Sequence, residues 1–225
     1  MHPKLILSFV QNKFVKYFGK RYSWRNLDKN VNRKDYATYE DYLQHQKSKL
    51  SRVEQHLNLV YDEKFRKILR DRLISSSVVS PGLKVLCLAA RLGTEVKSFI
   101  DLGCFAVGID LNPGKNNKYV LHGDFHNIQF PENSVDIVYT NSIDHTFDLN
   151  RLIVEIKRVL NKQGIFILEI NKGLQEGSSP GYYEALAWKR TDDVVDLFIA
   201  SDFIVVSRTD FEYPWNGQQV ILKKV

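Results

Sequence analysis

Hydrophobic positions change their period about a third of the way along the chain. Tyr39, Tyr42, Leu43, Leu50, Val53, Leu57, Val60, Tyr61, Phe65, Ile68, Leu69 and Leu73 recur mostly at steps of three and four residues, the period of an amphipathic helix. This predicts one long helix or two stacked ones. Residues 75–82, Ser-Ser-Ser-Val-Val-Ser-Pro-Gly, interrupt the pattern with turn-forming residues. The break predicts a boundary between an N-terminal extension, 1–80, and a second unit, 81–225. Beyond it, short β-branched runs alternate with helical segments, predicting strands at 84–88, 106–110, 119–121, 135–140, 164–170, 203–208 and 218–223. The intervening helices are predicted at 94–102, 149–160 and 191–200. Strands alternating with helices imply an α/β fold, a doubly wound and mostly parallel seven-stranded sheet. The last two strands are joined without a helical pattern, so the final strand is expected to be antiparallel. Apolar residues in 1–34 are too irregular for a strand, and a short amphipathic helix followed by a loop is expected there. The extension as a whole is expected to be helical.

Bulk properties narrow the class. A chain of 225 residues suits one domain of about 150 residues plus an extension. No apolar run approaches the about 20 residues of a membrane-spanning helix, and no small-residue cleavage site follows residues 1–10. Cys87 and Cys104 each lie within an apolar segment, which gives neither a disulfide framework nor a cysteine zinc site. Two reduced thiols in a cytoplasmic protein are expected. Charge is uneven: residues 1–80 carry 17 Lys and Arg against 8 Asp and Glu, net +9, while 81–225 carry 15 against 18, net −3. The basic character therefore belongs to the extension. Lys13, Lys16, Lys20, Arg21, Arg25, Lys29, Arg33 and Lys34, interleaved with aromatics, suit either a solvated arm or a surface for nucleic acid, an anionic glycan or an acidic membrane. Nucleic acid is open but not favoured. The extension could equally cap a cofactor, shape an acceptor pocket with Tyr36, Tyr39, Tyr42 and His45, or form an oligomer surface.

In a doubly wound sheet, ligands bind beyond the carboxyl ends of the strands where strand order reverses. The first strand-to-helix turn here runs Leu88-Ala89-Ala90-Arg91-Leu92-Gly93-Thr94-Glu95, and 17 residues past Gly93 the second strand ends Gly108-Ile109-Asp110-Leu111-Asn112. Asp110 stands where a carboxylate can accept hydrogen bonds from both hydroxyls of a ribose. Then come Gly123-Asp124-Phe125, Asp136-Ile137-Val138-Tyr139-Thr140-Asn141, and a helix-and-turn, residues 155–164, ending Asn161-Lys162-Gln163-Gly164. Over about residues 83–224 this series resembles the class I S-adenosylmethionine-dependent methyltransferases. The resemblance implies S-adenosylmethionine as cofactor, Ala89, Arg91 and Gly93 around its methionine end, Asp110 and Leu111 at the ribose, Asp124 and Phe125 at adenine, and Asn141 close by. The chain departs from the family pattern in having Cys87 for an acidic residue and Ala89 and Arg91 for glycines. The absent G-x-G-x-x-G counts against a nicotinamide enzyme. Arg91 could use its planar fork to hold the cofactor's carboxylate.

Methyl transfer is an in-line displacement that asks the protein mainly for proximity and a water-poor pocket. Asn141-Ser142-Ile143-Asp144-His145 follows the fourth strand, where the methyl group should point. His145 is the candidate base and Asp144 its orienting or acceptor-binding partner, against the alternatives that Asp144 or Thr146 caps the next helix and that His145 packs beneath it. His122 and His126 have ligand-like spacing but lie in a predicted loop without a third ligand, so no metal is expected. Residues 173–183, rich in Gly and Ser, can close over an acceptor, with Tyr182, Tyr183, Glu184 and Trp188 as contacts. Asp136, opening a strand, is as well suited to tying down a loop as to touching a ligand. No Asn-Pro-Pro-Tyr-type motif follows the fourth strand, which favours oxygen of a small molecule or glycan over amide or base nitrogen. The alternative is a catalytically silent fold of the same type serving as a binding module for nucleic acid or a partner protein.

Overall fold

The computed structural model describes residues 22–56 and 62–225, with the side chains of 50–56 excepted. In chain order the elements are β1 (Trp24–Asp28), β2 (Val31–Lys34), α1 (Tyr39–His56), α2 (Asp62–Ser76), β3 (Lys84–Leu88), α3 (Thr94–Asp101), β4 (Phe105–Asp110), β5 (Val120–His122), β6 (Val135–Thr140), α4 (Leu149–Val159), β7 (Leu160–Asn171), β8 (Leu186–Trp188), α5 (Thr191–Ile199), β9 (Phe203–Phe211) and β10 (Gly217–Lys224). Seven strands form one sheet in the order β5-β4-β3-β6-β7-β10-β9. Strand β10 runs antiparallel between β7 and β9, while β3, β4, β5, β6 and β7 pair in parallel. The doubly wound sheet with its antiparallel last strand is therefore present.

Alternation along each strand divides the core in two, because successive side chains point to opposite faces. Leu86 and Leu88 of β3, Val138 of β6 and Phe166 and Leu168 of β7 pack with α4 and α5 on one side. Val85 and Cys87, Ile137 and Tyr139, and Ile167 pack on the other with α3 and α2. Helix α4 shows why its segment folds as it does. Leu149, Leu152, Ile153, Ile156 and Val159 are buried at helical spacing, and the Asp148 carboxylate caps the helix by accepting from Arg151 N at 3.0 Å. The cap is thus Asp148, neither Asp144 nor Thr146. Helix α2 buries Phe65, Leu69 and Leu73 completely, each worth about 1.5–3 kcal/mol of apolar burial. The extension thereby supplies one wall of the core.

Residues 22–34 correct the expectation of an all-helical extension. They form the hairpin β1–β2, and β2 pairs antiparallel with β8, Val31 opposite Trp188 and Arg33 opposite Leu186. Neither strand has a clean alternation, so the pairing is decided by a partner about 155 residues away and local propensity is overridden. The amphipathic helix expected before residue 22 lies outside the described residues, as do Lys13, Lys16, Lys20 and Arg21. Two members of the basic cluster are not a solvated arm. Arg33 is buried, donates to the Phe147 carbonyl at 3.0 Å and lies 4.2 Å from the centre of that ring. Lys34 is buried too and donates to the carbonyls of Gly181 and Tyr182.

Candidate functional site

A cleft of about 570 Å³, counted with its open mouth, lies at the carboxyl ends of β3, β4 and β6, where strand order reverses. Its floor is the turn after β3, whose backbone is left-handed at three alternate positions: φ is 53° at Ala89, 45° at Arg91 and 86° at Gly93. Two of these carry side chains, at a cost of about 1–2 kcal/mol each. Gly93 has no such latitude, since a Cβ there would stand 2.9 Å from Tyr119 Cβ. Gly108 lets this turn lie against β4, because its Cβ would come 2.7 Å from Ala90 Cβ.

Asp110 ends β4 at the cleft wall. Its Oδ2 accepts from Arg91 N at 2.9 Å and its Oδ1 from Asn112 N at 2.7 Å. Burial raises its pKa, opposed by those two backbone hydrogen bonds. Each carboxylate oxygen has two lone pairs, so both retain one for a further donor. Leu111 and Phe125 offer apolar surface beside it, and His145 and Ser142 close the far end.

The fourth side comes from the extension. Tyr42, Gln46 and Lys49 of α1, one face of that helix, line the cleft. Among the contacts that seat α1, Asn112 Nδ2 donates to the Lys47 carbonyl at 3.0 Å, Gln46 Nε2 donates to the Tyr183 carbonyl at 2.9 Å, and Tyr39 donates its hydroxyl to Asp124 Oδ2. Asp124 Oδ1 accepts from His126 N at 2.8 Å and lies 3.0 Å from His126 Nδ1. The Nε2 of that ring accepts from Phe147 N and Asp148 N at 3.2 and 3.1 Å and sits 2.7 Å from Thr146 Oγ1. Asp124 is therefore engaged by α1 and by its own loop, and His126 Nε2 is turned inward.

Of the residues marked out by sequence, the cleft brings together Tyr42, Ala89, Arg91, Asp110, Leu111, Phe125 and His145. Gly93, Asp124, Asn141 and Asp144 stand outside its lining. Asn141 is buried behind the floor and donates to Glu95 Oε1 at 2.9 Å. Asp136 ties strands together, accepting from Lys84 N and Asn161 Nδ2 at 2.8 and 2.6 Å. Glu95 and Lys49 were not singled out from sequence. Lys49 was legible only as part of the i, i+4, i+7 set with Tyr42 and Gln46, and nothing local says which face of α1 meets the cleft.

A second cleft, lined by Asn171, Ser178, Pro180 and Trp188 among others, opens on the other side of Asp144 and Glu184. Between the two clefts, ligand atoms of Asp144, His145 and Glu184 lie within 4.8 Å of one another. Asp144 is buried, accepts from Asn171 Nδ2 at 2.9 Å, and is pushed up to about 6 by burial. His145 donates Nδ1–H to the Tyr183 carbonyl at 2.9 Å, which leaves Nε2 to accept from Lys49 Nζ at 2.6 Å. Burial, with Lys49 next, depresses the His145 pKa to about 3, so the ring is neutral. The ammonium of Lys49 occupies the very nitrogen that a metal ion would need. Among the described residues, Glu184 Oε2 is buried without a hydrogen-bond partner.

Comparison with known proteins agrees with this architecture. A family model described as a methyltransferase domain matches residues 86–168. Sterol 24-C-methyltransferase ERG6B of Gibberella zeae is 30% identical over 104 residues, covering 39% of this chain and 27% of that protein. The chain thus spans about a quarter of that curated relative. The crystal structure of Burkholderia thailandensis 1,6-didemethyltoxoflavin-N1-methyltransferase, with 1,6-didemethyltoxoflavin and S-adenosylhomocysteine bound, superposes with TM-score 0.68 at 13% identity, covering 90% of this chain and 99% of that one. A SAM dependent methyltransferase from Aquifex aeolicus gives TM-score 0.57 at 15% identity, covering 69% and 89%. At such identities the structural likeness speaks for the fold. Among the described residues, no helix is long and apolar enough to cross a membrane.

Proposed function

We propose that this chain, whose residues 86–168 match a methyltransferase-domain model, is a class I S-adenosylmethionine-dependent methyltransferase that transfers a methyl group to an oxygen of a small molecule or glycan. The observation that carries the reading is Asp110. It is a buried carboxylate at the switch point of the sheet, fixed by two backbone N–H groups yet open to the cleft.

The residues present fit the cofactor. Asp110 would offer lone pairs to two ribose hydroxyls, Leu111 and Phe125 would lie against the faces of adenine, and Arg91 would supply a cation for the carboxylate at the methionine end. Bound there, S-adenosylmethionine supplies an activated methyl group. The chain's own part is to orient and to exclude water. Helix α1 closes the cleft with Tyr42 and Gln46. Asp144 and Glu184 form the partition toward the second cleft, through which an acceptor would enter, with Tyr182, Tyr183 and Trp188 near its rim. The orphaned Glu184 Oε2 suits an acceptor that brings an O–H donor.

Small acceptors are named in both the Gibberella and the Burkholderia enzymes, which supports a small molecule here. The ionisable groups gathered between the clefts suit an acceptor that must lose a proton, as a hydroxyl does. A binding module for nucleic acid is disfavoured by Arg33 and Lys34 facing inward.

Isothermal titration with S-adenosylmethionine and S-adenosylhomocysteine tests the reading. Micromolar binding is expected, weakened at least about a hundredfold in Asp110→Ala, as befits loss of two charge-assisted hydrogen bonds. Absence of binding by the unaltered protein would sink it.

A further inference from the structure

Sequence reasoning directs attention to His145 as the base, but both of its ring nitrogens are occupied. The Nδ1–H is committed to a backbone carbonyl, and the Nε2 lone pair is covered by Lys49 Nζ at 2.6 Å. The group that faces the cleft is the amine. Lys49 lies on its lining, and its hydrogen-bond acceptor is a neutral ring, which leaves the burial of an ammonium poorly offset.

We propose that Lys49, rather than His145, is the proton-accepting group of this site, and that a sulfonium ion bound in the cleft holds its amine neutral. The inference rests on the methyltransferase reading above and deepens it. Among the described residues, Lys49 Nζ lies 5.7 Å from the centre of the Tyr183 ring, and further charged side chains act on it. Arg91, from the turn after β3, disfavours its charge. Asp110 at the end of β4, Asp144 after β6 and Glu184 before β8 favour it, while Lys34 of β2 shares the field of Glu184. Burial and Arg91 outweigh the carboxylates, bringing Lys49 down to about 8. A second cation in the same cleft acts in the direction of Arg91.

His145 then has a defined task as a positioning residue. Fixed by Tyr183, its Nε2 holds one N–H of Lys49 and leaves the lone pair of the neutral amine free to point elsewhere. In the transfer the acceptor oxygen would form its bond to the methyl carbon, the C–S bonding pair would remain on sulfur, and the hydroxyl proton would pass to the Lys49 lone pair. The substrate class implied is an alcohol or phenol, which carries a proton for the amine to take.

The test is titration of the full chain with S-adenosylmethionine and S-adenosylhomocysteine between pH 6.5 and 9.5. The two ligands share adenosine and amino-acid ends and differ by the sulfonium charge, so the ratio of their affinities isolates what that charge meets. Preference for the sulfonium should grow on the order of tenfold as pH rises, because the amine that repels it loses its proton. In Lys49→Met the preference should be high and independent of pH; in Lys49→Arg, charged throughout, it should be low and equally flat. A flat ratio in the unaltered protein, or a slope that survives in either variant, overturns the assignment. Failure of both ligands to bind is a separate result that refutes the cofactor reading and this inference with it.

Discussion

Ala89 and Arg91 hold a left-handed backbone that glycine adopts without a steric penalty, so the turn after β3 keeps the shape of a glycine-rich loop while lacking two of its glycines. Replacing either by Gly should stabilise the fold by up to about 1 kcal/mol, the relief of Cβ strain less the greater entropy of an unfolded glycine. Gly93→Ala should do the opposite, by about 2 kcal/mol or more, since it meets both a positive φ and Tyr119. Urea unfolding of the three variants checks the pair of signs, and a neutral Gly93→Ala would contradict the close approach. Asp110 was legible in the sequence because its role depends on a local event, the end of a strand at fixed distance from a turn. His145 and Asn141 were legible as positions after a strand, but their partners were not. Nothing near residue 145 announces that an amine from residue 49 will settle on its ring, for that contact is made only once α1 has docked.

At the scale of elements, period was a reliable guide wherever the element buries its own stripe. Helices α3, α4 and α5 and the seven sheet strands fall within a few residues of expectation for this reason. The hairpin β1–β2 and strand β8 were missed because each is stabilised by the other, and four residues reading Val-Asn-Arg-Lys contain no signal of a sheet. The same distance conceals the docking of α1, which hangs on Tyr39, Asp124 and His126. Tyr39→Phe removes the donor and leaves a half-buried carboxylate short of one partner, a loss of about 1–3 kcal/mol confined largely to this helix. Amide exchange in residues 39–49 should accelerate while β3, β6 and β7 keep their protection. Equal acceleration throughout, or none, would show that α1 is not an independently opening unit.

For the whole molecule the buried ionisable groups set an unusual alkaline bias. His145, held at about 3 by burial, refuses the proton its unfolded form takes up below about 6.5, so stability falls as pH drops from there. Asp144, held at about 6, keeps a proton the unfolded chain releases, and partly offsets this between pH 6 and 4. Lys34 and Lys49, both near 8 through burial, are neutral in the fold at pH values where the unfolded chain still holds its protons. Stability therefore climbs from about pH 8 toward 10. Burial raises Tyr36, Tyr39 and Tyr42, and stability declines again once unfolded tyrosines ionise above about 10. Melting temperature should accordingly peak between pH 8 and 10, and Lys49→Met should flatten the rise above 8. A maximum between pH 5 and 7 would refute the bias.

The pairing of β2 with β8 also bears on how the chain comes into being. Residues 31–34 leave the ribosome some 155 residues ahead of 186–188, an interval of about 8–30 s at ordinary rates of synthesis. For most of that wait Arg33 lacks the Phe147 carbonyl and Lys34 those of Gly181 and Tyr182, while α2 shows its apolar stripe to water only until β3 and α3 emerge. The β1–β2 hairpin must therefore wait unpaired, kept from premature association by the net charge of +9 over residues 1–80, until β8 emerges to receive β2.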